Sequence, residues 1–369
     1  MSVDLLFDAR HVNASGIGVY SRQQIAVMKS WARQNDFRIA LLGKPQEIGR
    51  VGNGLEIVVP KAAGRMYSMA EQVDWFAALT RVKPRAFWTP HYPSPLGSVG
   101  PRTFVTVHDV LHALDGRHGG PGRLRSTYAR KMIRMALRRS HEVFVPSIAT
   151  KSEIERLFGR QTNVSVAPMR IDPAWLSPVK PDAIPTSMPS DYIVYVGNVK
   201  RHKNLLGLLK AYDRIKDDIP ADLVLAGGAA SVRNQHSAVY DYVARLGPRV
   251  HVTGNLPFEA LRATVAGARC LVMPSHYEGV GLPPLEAMAV GTPVIASDIP
   301  SLRETCGDAA EYFDAFSVDS LADCLTEFLG TPEKHDLMVK SGRNRLLERE
   351  SSIDPWLPLN RIVQSSALI

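Results

Sequence analysis

The chain has 369 residues, 45% hydrophobic and 22% charged, which excludes a disordered or fibrous protein and fits two globular domains of about 180 residues each. A net charge of +8 favours an anionic partner: nucleic acid, acidic membrane or phosphorylated substrate. Three scattered cysteines, Cys270, Cys306 and Cys324, support neither a disulfide scaffold nor a zinc site and point to a reducing compartment, and no run of about 18 apolar residues is present to span a bilayer.

The start, MSVDLLFDAR, carries Asp4 and Asp8 and reads as a first strand, Val3 to Phe7, and not as a signal peptide. A loop with Ser15, Gly16, Ile17 and Gly18 leads into a helix from about Val19 to Gln34. The GIG turn is half of a dinucleotide fingerprint. It serves equally as a ligand-approach loop or as a tight strand-to-helix turn, and no acidic residue follows where a ribose would be held in an NAD site. Strand-like runs recur at Arg38 to Leu42, Leu55 to Val59, Ala86 to Trp88 and Thr103 to Val107, alternating with helical stretches such as Met69 to Leu79. That alternation predicts a parallel sheet covered by helices, with ligands beyond the carboxyl ends of its strands. His91 and the pair His108-Asp109 fall at such ends, which marks His108 as a candidate for chemistry.

The stretch Arg123 to Arg139 holds seven basic residues and no acidic one, with Leu124, Tyr128, Met132, Met135 and Ala136 at helical spacing. It fits a solvated surface helix, or a patch of Arg123, Arg125, Arg130, Lys131, Arg134 and Arg138 that meets anionic lipid headgroups. No nucleic-acid fold or stacking platform accompanies it, so nucleic acid is not expected. Val143 to Pro146 reads as a strand, Ile148 to Phe158 as a helix and Val164 to Ala167 as a further strand. Six prolines between Pro168 and Pro189 then mark a linker. The predicted organisation is a first domain 1–172, a linker 173–189, a second domain 190–347 and a terminal segment 348–369, broken by Pro355 and Pro358, that crosses back over the first domain.

The second half restarts the rhythm with a strand, Tyr192 to Val196, then the turn GNVKRHK and a helix opened by Asn204 that runs to about Ile215. Lys200, Arg201 and Lys203 cluster at this turn, where a phosphate would meet both side-chain cations and helix amides. Leu223 to Ala226 with Gly227-Gly228, His251 to Thr253 with Gly254, and Cys270 to Met273 supply more strands, and Ser320 to Leu329 a later helix. The most informative stretch is Pro274 to Asp298, PSHYEGVGLPPLEAMAVGTPVIASD, a strand end, a glycine loop, a helix opened by Pro283 and Pro284 with Gly291 beyond it, and a second strand. Helix amides facing Gly279, Val280, Gly281 and Leu282 make an anion site, yet Glu278 in the loop and Glu286 in the first helical turn would repel bare phosphate. A diphosphate flanked by polyols, as in a nucleotide-sugar, satisfies both demands.

On these motifs the sequence resembles retaining glycosyltransferase family 4, of the α/β GT-B fold with two facing Rossmann-like domains and an interdomain cleft. The resemblance rests above all on Glu278 and Glu286 in EGVGLPPLE and the continuation AMAVGTPVIAS. SGIGVY, VHDV, VPSIATK, GNVKRHKNL, TGNLP and GDAA at Gly307 to Ala310 support it. It implies that Glu286 holds the ribose, Glu278 the transferred sugar and Lys203 the diphosphate. His108 would face the donor sugar, Gly16 and Gly18 would lie beneath the diphosphate, and Gly254 and Asn255 near the base. The family often has arginine where this chain has Asn198, which leaves the second diphosphate cation open between Lys200 and Arg201. The implied reaction retains anomeric configuration by same-face attack, with Lys203 and the helix amides stabilising the departing diphosphate. No aspartate-rich metal motif stands where a donor would lie, so neither metal nor cofactor is expected beyond the nucleotide-sugar co-substrate. Resemblance to bacterial polysaccharide mannosyl- and rhamnosyltransferases favours GDP-mannose as donor and a saccharide or lipid-linked saccharide as acceptor, at the cytoplasmic face of the membrane. A nucleotide-sugar epimerase of the same architecture and a non-catalytic GT-B-like binding protein are the alternatives.

Overall fold

Strands buried on both faces lose the in-out alternation and become near-continuous apolar runs. Leu5–Asp8 and Ile39–Leu42 are buried throughout. The computed structural model describes residues 3–14, 16–62, 64–96, 100–114, 122–227 and 237–366. It divides into two units: Met1–Ala113, Arg123–Arg170 and Ile353–Ile369 in the first, Leu114–Gly122 and Ile171–Ser352 in the second. Ser15 and Gly228 lie outside the described residues.

In the first unit the strands are β1 (Leu5–Asp8), β2 (Ile39–Leu42), β3 (Glu56–Val58), β4 (Ala86–Thr89), β5 (Arg102–Thr106), β6 (Glu142–Val145) and β7 (Val164–Val166). They form one parallel sheet in the order β3-β2-β1-β4-β5-β6-β7. Its helices are α1 (Gly16–Ala32), α2 (Pro45–Ile48), α3 (Met69–Val82), α4 (Arg123–Arg139) and α5 (Ile148–Phe158). Ser68 and Ser147 cap α3 and α5 by accepting amides three residues on. The GIG turn is the first turn of α1, three residues earlier than the sequence suggested.

The second unit has β8 (Tyr192–Val196), β9 (Asp222–Ala226), β10 (Val250–Gly254), β11 (Leu271–Met273), β12 (Val294–Ser297) and β13 (Glu311–Phe313), parallel in the order β10-β9-β8-β11-β12-β13. Its helices are α6 (Leu205–Ile215), α7 (Ser237–Leu246), α8 (Phe258–Ala266), α9 (Leu282–Val290), α10 (Pro300–Cys306), α11 (Val318–Leu329) and α12 (Pro332–Ser352), and α13 (Leu357–Ser366) follows in the first unit. Apolar clusters cover both faces of the sheet, one around Leu208, Tyr212 and Leu325 and the other around Leu285, Met288 and Leu302. Residues 173–189 are not set apart here: they pack in the second unit, where Trp175 is buried with Leu285.

Each sheet reverses strand order once, between β1 and β4 in the first unit and between β8 and β11 in the second. These are the points beyond which ligands of open α/β sheets bind.

Candidate functional site

Lys203 follows β8, and Glu278 follows β11, so the two flank the second unit's reversal point. Their side chains meet: Lys203 Nζ lies 2.6 Å from Glu278 Oε1, with 18% and 10% of the side chains exposed. Local geometry produces this meeting. Tyr195 donates to the Asn198 carbonyl at 3.0 Å, and a tight turn, Arg201–Lys203, ends at Asn204 in the left-handed region. The His276 amide then donates to the His202 carbonyl at 2.8 Å, drawing the two loops together. Burial, and then the nearby Glu278 carboxylate, hold the Tyr195 hydroxyl far above its ordinary range.

The loop enters α9 through Gly281 at φ 92°, where a Cβ would stand 2.5 Å from Leu302 Cδ2, so only glycine fits. Leu282 is the first helical residue, and Pro283 and Pro284 contribute no N–H. The expected row of amides across Gly279, Val280, Gly281 and Leu282 therefore resumes only at Leu285. Glu286 sits in the second turn of α9 and not the first, as no acidic residue occupies the first turn. Burial, then the Asp172 carboxylate, raise it to about 7. Asp172 caps the short turn Pro173–Leu176 that packs on α9. Its role went unforeseen because it lies far from Glu286 in the chain.

β8, β9 and β10 each end at a glycine, Gly197, Gly227 and Gly254. A Cβ on Gly227, at φ 121°, would stand 2.5 Å from the Gly197 carbonyl oxygen, and Gly227 N–H donates to the Gly254 carbonyl. Gly254, with Asn255 exposed beside it, closes β10, while Lys200 and Arg201 are exposed next to Lys203. His276 stacks on exposed Phe316 at 4.8 Å, a pair that motif spacing did not reveal.

The first-unit candidates lie after β1 and β5. A Cβ on Gly18 would lie 2.6 Å from the Val12 carbonyl oxygen, so Gly18 is needed for packing of α1 on its own loop, whereas Gly16 faces open space. His108 donates through Nε2 to the Pro90 carbonyl at 2.8 Å, and its ring packs edge to face with Tyr20, centroids 4.7 Å apart. Burial brings its pKa down to about 4 despite Asp109. It is therefore neutral at pH 7, with Nδ1 left to accept a hydrogen bond from a hydroxyl and with no charge to stabilise an anion.

On α4, Arg123, Arg125, Lys131, Arg134 and Arg138 are exposed. Arg130 is not part of that face, since its Nε donates to the Ala113 carbonyl at 2.7 Å. Leu124 and Tyr128, expected on the packed side, are 90% and 47% exposed, and the buried side is Ser126, Ala129, Met132, Ile133, Ala136 and Leu137. Among the described residues no helix is long and apolar enough to cross a membrane.

The two sheets and their reversal points have the α/β fold of the GT-B glycosyltransferases. Sucrose-phosphate synthase from Thermosynechococcus elongatus aligns over 99% of this chain and 98% of its own with a TM-score of 0.74 and 19% identity. HepE of Anabaena, solved in complex with UDP and glucose, aligns over 100% of both chains with a TM-score of 0.72 and 14% identity. Residues 180–345, which hold Lys203, Glu278 and Glu286, match the family model described as glycosyl transferases group 1. The O-antigen chain mannosyltransferase B of Escherichia coli is 30% identical over 252 residues. That match spans 65% of this chain and 65% of the relative.

Proposed function

We propose that the chain is a retaining glycosyltransferase that moves a hexose from a nucleotide-sugar, GDP-mannose by preference, to a saccharide or lipid-linked saccharide in bacterial surface polysaccharide synthesis. The carrying observation is the Lys203–Glu278 pair, 2.6 Å apart beyond the reversal point of a unit that matches the glycosyl transferases group 1 model. A ligand with a diphosphate and sugar hydroxyls gives each member of the pair a new partner: phosphate oxygens for the ammonium, hydroxyl donors for the carboxylate. Glu286, one turn into α9, takes the ribose hydroxyls. Breaking the glycosyl–phosphate bond places negative charge on the leaving diphosphate, and Lys203 with the amides of Gly279 to Leu282 opposes that charge without a metal ion. The leaving oxygen accepts the acceptor's proton, so no side chain serves as nucleophile. His108 contributes a neutral acceptor at Nδ1 that orients a hydroxyl. The mannosyl preference follows from the Escherichia coli relative's name.

The test is a thermal-shift screen with GDP-, UDP-, dTDP- and ADP-sugars, followed by product analysis with and without acceptor. Stabilisation by GDP-mannose together with acceptor-dependent glycoside formation is expected. Conversion of donor alone into an isomeric sugar nucleotide would establish an epimerase instead, and stabilisation without turnover a binding protein.

The second part of the reading is contact of α4 with an anionic membrane. It is supported by the exposed cations around Leu124 and Tyr128, each cation contributing about 1 kcal/mol near such a surface. Cosedimentation with phosphatidylglycerol vesicles should fall steeply when Arg123, Arg125 and Lys131 are changed to glutamate. Unchanged cosedimentation removes the membrane role and leaves the transferase reading intact.

A further inference from the structure

The first unit has a reversal point of its own, where the ends of its two central strands meet the start of α3. β1 ends at Asp8, with Arg10 and His11 just beyond it, His91 follows β4, and α3 brings Glu71, Asp74 and Trp75. Arg10 spends its guanidinium on three carboxylates: Nε and Nη2 on Asp8 at 2.9 and 2.7 Å, Nη2 also on Glu71 at 3.2 Å, and Nη1 on Asp74 at 3.1 Å. Neutral donors add to these, Trp75 Nε1 on Asp8, the Ala62 and Gly64 amides on Asp74 and the Tyr67 amide on Glu71. Each carboxylate therefore accepts, so the buried wall sets three negative charges against one guanidinium. An excess of two buried charges calls for a counter-charge.

The two imidazoles beside Glu71 show where it would sit. Thr89 Oγ1 donates to the His91 carbonyl at 3.3 Å, which leaves its lone pair to accept from His91 Nδ1 at 3.1 Å. With the ring proton on Nδ1, a neutral His91 turns a bare Nε2 toward Glu71 Oε1, 2.8 Å away. Two lone pairs that close share a cation, either a second ring proton or a metal ion. His11 decides between them. Its Nε2 is buried, lies 3.6 Å from the same Glu71 oxygen and makes no hydrogen bond. A proton there would be a donor with no acceptor in reach, whereas a metal ion gives the lone pair a partner.

One ligand atom each from His11, Glu71 and His91 lies within 4.8 Å of the other two. The 2.8 and 3.6 Å separations bracket the roughly 3.3 Å between donors that each stand about 2.0–2.1 Å from one ion. Two imidazoles and a carboxylate suit a late first-row cation such as zinc, and not magnesium or calcium, which take oxygen ligands. Thr89 on the far nitrogen of His91 and the Tyr67 amide on the second oxygen of Glu71 orient the ligands from outside. Two positive charges also cancel the excess of the wall. The His11 ring, 15% exposed at the edge of a cavity of about 320 Å³, is the member that can turn to admit an ion.

We propose that His11 Nε2, His91 Nε2 and Glu71 Oε1 bind one divalent cation of the zinc class, which ties the segments after β1 and β4 to α3. The site lies wholly in the first unit, and binding there does not depend on the transferase reading. The metal-stripped full chain titrated with cobalt(II) should take up one tightly held ion per chain, with visible absorption that zinc abolishes, and zinc should raise the thermal unfolding temperature. Two variants remove the first ligand: His11→Ala, and His11→Gln, which keeps the reach of the ring without its basic nitrogen. Each should weaken cobalt binding by about a hundredfold or more, since loss of an outer partner alone costs roughly 10–100-fold, while circular dichroism of the metal-free variants matches the metal-free parent. His335→Ala, which removes an exposed imidazole beside Asp336, should leave both readouts unchanged. No uptake by the parent, which leaves charged imidazoles to balance the wall, overturns the site. Equal uptake by either folded His11 variant, or uptake lost in His335→Ala, overturns it as well.

Discussion

Replacing Glu286 by glutamine tests the electrostatics of the site in one step. Burial and Asp172 raise the Glu286 carboxyl from 4.5 to about 7 in the folded chain. In the unfolded chain it titrates near 4.5, so between pH 4.5 and 7 the folded state holds the extra proton. The associated stability is fully present below pH 4.5 and is lost as pH rises through 7. A displacement from 4.5 to about 7 corresponds to about 3 kcal/mol. Glutamine keeps the shape and cannot ionise. Glu286→Gln should therefore equal the parent below pH 4.5 and exceed it by up to about 3 kcal/mol at pH 8, read by urea unfolding followed by circular dichroism. Nucleotide binding should behave in the opposite sense. If ribose hydroxyls donate to the carboxylate, the parent's affinity for nucleotide rises with pH by up to about tenfold per unit below 7, and the variant's does not. A variant that follows the parent's pH dependence in both experiments refutes the assignment of a displaced carboxyl to Glu286.

Other expectations follow from single contacts. Lys203→Ala leaves the mostly buried Glu278 carboxylate unpaired and removes the cation facing the leaving group, so transfer should fall about a hundredfold or more; a loss of only a few-fold in steady-state kinetics dismisses the role. Arg10→Ala strands Asp8, Glu71 and Asp74 in the first unit and should cost about 3–5 kcal/mol of its stability in denaturant titration. Gly18→Ala forces a methyl against the Val12 carbonyl and should cost about 1–3 kcal/mol, with nucleotide affinity unchanged in the folded fraction.

The inner strands of both sheets were readable because double burial makes each a short apolar run, as in Tyr192–Val196, and glycines mark the ends of β8, β9 and β10. β13, Glu311–Phe313, was missed: at the sheet edge only Phe313 is buried, so its pattern is that of a loop. Lys203 and Glu278 were readable as separate motifs, but their contact across 75 residues was not, since it depends on strand order. Helical spacing alone also misjudged α4. Leu124 and Tyr128 repeat correctly for a packed stripe, yet the turn is oriented by Met132, Ile133 and Ala136 against the sheet. The polar wall of Asp8, Arg10, Glu71 and Asp74 left no local signature, because its members lie on three elements and are informative only once folded.

The Lys203–Glu278 contact also bears on how a product would leave. With a complete sugar nucleotide bound, both groups have partners. Once the sugar has been transferred, the remaining diphosphate satisfies Lys203 alone, and the carboxylate is left without donors in a mostly buried position. Re-forming the 2.6 Å pair then competes with the spent nucleotide for the same ammonium. On the proposed reading the site thus carries an internal competitor for its own product, so the nucleoside diphosphate should bind more weakly than the intact donor, and Glu278→Ala should narrow that difference.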